Sequence, residues 1–94
     1  MEVVQEYFVF SSLLNKAIKN KDEFLISCIL KELHARKDIS INIIILTKIN
    51  KHFDKLLSIP NLSNLVENVL ENWSYRIGQE IKVIGKTYRQ RQNK

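Results

Sequence analysis

The alternation of isoleucines within residues 38–48 decides what class of fold this chain can adopt. Ile39, Ile41, Ile43 and Ile45 occupy every second position, and β-branched residues on a period of two favour a strand. A strand, however, leaves backbone N–H and C=O groups unpaired until a neighbour joins it. The one other candidate strand is the short Ile-Lys-Val-Ile segment at 81–84, and a two-stranded sheet is marginal by itself. Hydrogen-bond accounting therefore predicts a helix, N-capped by Ser40, with Ile41, Ile44, Ile45 and Lys48 on one side.

Elsewhere apolar residues recur at three and four. Val3, Val4, Tyr7, Phe8, Leu14, Ala17 and Ile18 share one face of a first helix, while Lys16, Lys19 and Lys21 suit its negative C-terminal end near Asn20. Asp22 is placed to cap a second helix running to about Arg36, with Leu25, Ile26, Ile29, Leu30 and Leu33 as its stripe. Thr47 caps a fourth helix over 48–57, with Ile49, Phe53, Leu56 and Leu57 inward and Lys48, Lys51, His52 and Lys55 opposite. Pro60 ends that helix and suits the first turn of the next. In that fifth helix Leu62, Leu65, Val66, Val69, Leu70, Trp73 and Ile77 form the stripe, and Gly78 stops it. The pattern predicts an all-α bundle of five helices over 1–80, followed by a basic C-terminal extension or linker over 81–94 that frays.

Composition excludes several classes of function. Ninety-four residues suit one core, and an apolar fraction of 45% supports folding. The single Cys28 allows neither an internal disulfide nor a thiolate metal cluster, and its place in an apolar helix predicts a buried, inert thiol. His34 and His52 lack companions at metal-ligand spacing, and paired carboxylates and a Gly-rich phosphate loop are absent, so neither an enzyme nor a metal or cofactor protein is expected. No basic leader or long apolar run stands near Met1, which predicts a chain that is neither secreted nor membrane-spanning. The net charge of +5 is local: residues 82–94 hold five bases and no acid, leaving ten of the fifteen bases against all ten acids in the body. Within that tail Lys86, Tyr88, Arg89 and Arg91 define a weak candidate for nucleic-acid contact through phosphates and stacking.

Two segments carry a family resemblance. Leu46-Thr47-Lys48-Ile49-Asn50-Lys51-His52-Phe53-Asp54-Lys55-Leu56 resembles the pattern T-x-[IV]-G-K-x-V-N-x-L that joins the third and fourth helices of the N-terminal (Leu-Trp) domain of RNA polymerase II elongation factor S-II, also called TFIIS. Thr47, Ile49, Lys51 and Leu56 match outright, and Asn50 and Asp54 replace the family's Gly and Asn. Leu65-Val66-Glu67-Asn68-Val69-Leu70-Glu71-Asn72-Trp73 is similar to L-A-x-x-L-[IV]-x-x-W, with Val66 for Ala and an acidic or neutral helix where the family often has Lys. Relatives include Elongin A, a Mediator subunit and the Iws-type partner of the Spt histone chaperone.

The resemblance implies a monomeric nuclear five-helix bundle that docks short disordered segments of transcription elongation or initiation factors, and so meets RNA polymerase II complexes indirectly. An Iws-type domain binding the Spt chaperone is the alternative within the family. Partner segments in this family often present an apolar anchor flanked by acids. The corresponding contacts here are Phe24 and Ile59 as apolar anchors and Lys48, Lys51, His52 and Lys55 as a charged rim. Leu30, Leu33, Ile49, Phe53, Leu65, Val69, Leu70 and Trp73 form the supporting core.

Overall fold

The computed structural model describes residues 2–83 and 86–88. Five helices are present: α1 (Val3–Lys19), α2 (Glu23–Ala35), α3 (Ile41–Thr47), α4 (Asn50–Leu56) and α5 (Pro60–Ile77). They are followed by a small antiparallel hairpin, β1 (Ile81–Val83) and β2 (Lys86–Tyr88). The all-α bundle expected from the sequence is the architecture observed.

Local chemistry sets the boundaries. The Asp22 carboxylate accepts from the Leu25 N–H at 3.1 Å, and the Ser40 hydroxyl accepts from the Ile43 N–H at 3.3 Å, so both short-side-chain caps satisfy donors the helices leave open. Residues 41–47 are helical despite their alternating isoleucines, since seven residues in a helix bond internally where a strand would need a neighbour. Pro60 opens α5 and holds Ile59 extended, at φ −97° and ψ 111°. Gly78 ends α5 at φ 68°, and the N–H of Gln79 closes on the Ser74 carbonyl.

The junction between α3 and α4 differs from the expected one. Thr47 is the last residue of α3, and α4 begins at Asn50. The Thr47 hydroxyl donates to the Ile43 carbonyl at 2.7 Å and accepts from the Ile49 N–H at 3.3 Å, bridging the break. Lys48 turns the chain at φ 52°, a left-handed conformation that crowds a Cβ. On α3 the buried side chains are Ile43, Ile44 and Thr47, while Ile45, grouped by spacing with Ile44, is 61% exposed. With an apolar residue at nearly every position, so short a helix does not announce its face; packing chooses it. Val3, Phe8 and Leu25 likewise point outward, and Leu65 and Ile77 are half-buried against the core.

The core gathers around Trp73, which is fully buried. Its ring lies 5.4 Å from Phe53 of α4 and 6.3 Å from Tyr7 of α1, the latter edge-on at 65°. Leu30 and Leu33 of α2, Ile49, and Val69 and Leu70 of α5 complete it. The Trp73 indole Nε1 is buried without a hydrogen-bond partner among the described residues.

The first part of the extension does not fray. Ile81 pairs with Tyr88, Lys82 with Thr87 and Val83 with Lys86, and the buried Ile81, Val83 and Tyr88 join the core cluster. β1 packs on α4 and β2 on α5, which supplies the stability two strands lack alone. Residues of the core cluster thus continue past residue 80. Residues 84, 85 and 89–94 lie outside the described set.

Two substitutions test this account by urea unfolding. Trp73→Ala is expected to cost about 3–5 kcal/mol, the usual loss for emptying a large aromatic site. Lys48→Gly is expected to stabilise by about 0.5 kcal/mol, because relief of the left-handed strain exceeds the added freedom of the unfolded chain.

Candidate docking surface

The turn from α1 to α2 is a tight closure. The Asp22 N–H bonds the Ala17 carbonyl at 3.0 Å and the Lys21 N–H the Ile18 carbonyl at 3.1 Å, with Lys21 left-handed at φ 54°. Against this turn stands the loop between α4 and α5, where the Ile59 N–H bonds the Leu56 carbonyl and the Ile59 carbonyl accepts from both Leu62 and Ser63. Between them lies an open cavity of about 300 Å³ lined by Ile18, Lys21, Glu23, Ile26 and Ile59. Ile26 is a buried core residue; Ile18 and Ile59 are half-buried and pack against the core from the cavity side. The floor is therefore aliphatic and the mouth charged.

Of the residues expected to make contact, Ile59 lines this cavity. Phe24 lies in the first turn of α2, directly after the lining residue Glu23, and is 79% exposed. Ile59 is held half-buried, less open than the Pro60 turn suggests, because its side chain packs onto the core. Lys48, Lys51 and Lys55 are exposed.

His52 leaves the lysine rim. Its Nε2 lies 2.9 Å from the Ser11 Oγ of α1, half-buried, so it ties α4 to α1. Burial first, and the charge of Lys55 second, lower its pKa from the ordinary 6.5. A base that is harder to protonate in the folded chain than in the unfolded one keeps its contribution above pH 6.5 and loses it as pH falls below. Stability should therefore fall as pH drops below about 6.5, and His52→Gln should flatten that slope in urea titrations.

Three further positions differ from expectation. Cys28 is exposed, because α2 buries Ile26, Ile29, Leu30 and Leu33 and Cys28 falls off that stripe. Tyr88 is buried, its hydroxyl without a hydrogen-bond partner among the described residues, and burial together with Glu67 and Glu71 raises its pKa. Its ring is packed in the protein, where it cannot serve as a stacking platform for bases. The Lys86 side chain, Arg89 and Arg91 lie outside the described residues. Among those described, no group of three His, Cys, Asp or Glu side chains is placed to hold a metal, and no helix is long and apolar enough to cross a membrane.

Sequence reasoning also missed a clasp at the far end of α2. Arg36 pairs with Asp38 at 2.6 Å and Glu6 at 3.3 Å, and its guanidinium sits 5.1 Å from the Tyr7 ring centroid and 5.4 Å from that of Phe10. The Tyr7 hydroxyl donates to the same Asp38 carboxylate at 2.8 Å. The Arg36 hydrogen bond, followed in effect by that from Tyr7, outweighs burial and holds Asp38 below the usual carboxylate value. Only an Arg-Lys-Asp triplet after a helix end hinted at this, which is too common a signal to single out.

No protein-family model matches the chain, and neither the curated proteins nor the solved structures give a match.

Proposed function

We propose that this chain is a non-catalytic docking module of the TFIIS N-terminal kind, a nuclear domain that captures short disordered segments of RNA polymerase II elongation or initiation factors. The observation that carries this reading is the aliphatic cavity between the α1–α2 turn and the α4–α5 loop, with Ile59 in its wall and the exposed Phe24 next in sequence to the lining residue Glu23. A volume of about 300 Å³ lies at the small end of ligand pockets, suited to an apolar side chain presented by a peptide. The resemblance adds support, since its two segments fall in order on the α3–α4 junction and on α5. Such a groove gains affinity from the apolar anchor, while exposed charges such as Lys21 at its mouth tune rate and specificity at about 0–1 kcal/mol each.

Methyl chemical-shift mapping tests the proposal. Peptides with an aromatic or aliphatic anchor, taken from disordered segments of polymerase II elongation and initiation factors, should shift the Ile18, Ile26 and Ile59 methyls. The reading fails if no such peptide moves any of the three.

A further inference from the structure

Charges of both signs stand at the mouth of the cavity. Lys21 and Glu23 are exposed lining residues, and neither forms an ion pair with another described residue. Their spacing is fixed by the backbone. Lys21 is locked left-handed in the closure that ends α1, and Glu23 is the first residue of α2, immediately after its Asp22 cap. Asp22 itself accepts from the Leu25 N–H, so its carboxylate is committed to the helix.

On the reading of this cavity as a docking site, we propose that it selects a linear segment of another protein bearing one large apolar side chain with a base on one flank and an acid on the other, and that Glu23 rejects segments acidic on both flanks. The aliphatic floor of Ile18, Ile26 and Ile59 takes the apolar side chain and offers no polar group for a cofactor. Lys21 attracts the carboxylate. Glu23 attracts the ammonium or guanidinium and repels a second carboxylate brought to the same edge. Discrimination of this sort comes from the unfavourable pairing as much as from the favourable one.

The test is a selection of random twelve-residue displayed peptides against the full chain, followed by fluorescence anisotropy with the best segment made synthetically. Enriched segments should centre on one large apolar residue with opposite charges on its two sides. Lys21→Glu and Glu23→Lys should each weaken that peptide about threefold, as exposed ion pairs do. The double exchange should prefer the peptide whose flanking charges are swapped. Both positions are exposed, and an unchanged far-ultraviolet dichroism spectrum checks that the variants fold. Enrichment of segments acidic on both flanks, or a double exchange that leaves the preference unaltered, overturns the charge selection while methyl shifts at Ile18, Ile26 and Ile59 leave the docking reading standing. Selected peptides that shift none of those methyls overturn both.

Discussion

Everything in this bundle leans on the contact of Trp73 with Tyr7 and Phe53, which joins three helices from distant parts of the chain in one aromatic cluster. A domain of this size buries a small share of its surface, so a few large side chains carry much of its stability. The geometry is edge-on and tilted, as ring quadrupoles prefer, and the surrounding aliphatic residues of α2 and α5 exclude water. The indole N–H is left without a partner among the described residues, so the ring is held for its bulk and shape and not for its polar handle.

Around that cluster the periphery is fastened by polar contacts that work in pairs. Arg36, Asp38, Glu6 and Tyr7 bind the end of α2 to the start of α1, and Ser11 with His52 binds α1 to α4. Neither set lies at the cavity. The hairpin covers α4 and α5 in turn, and its two strands persist because Ile81, Val83 and Tyr88 have helices beneath them.

The long helices were legible because their ends are written in side chains with one physical role: Asp22, Pro60 and Gly78 mark boundaries that the structure respects to within a residue. The apolar stripe of α5 was equally plain. The short elements were not. An α3 with six apolar or β-branched residues among seven cannot show which side is inward, and the hairpin reads as polar tail because its stability comes from the surface it covers and not from its own sequence. The cavity was half legible. Ile59 was marked by the proline after it, whereas Ile18, Lys21 and Glu23 belong to a turn that tertiary folding brings to face it. His52 was misplaced because helical spacing puts it beside the lysines, and only the approach of Ser11 shows that its side of α4 meets α1.

The cavity wall has a consequence for how such a chain can diverge. Of its five lining residues only Ile26 is fully buried, and the other four sit at turns or helix ends. Changes at Lys21 or Glu23 would alter what the mouth attracts while leaving Trp73, Tyr7 and Phe53 untouched. The charge at the mouth can therefore change by small steps, each variant still folded, because Lys21 and Glu23 are separate from the residues that hold the bundle together.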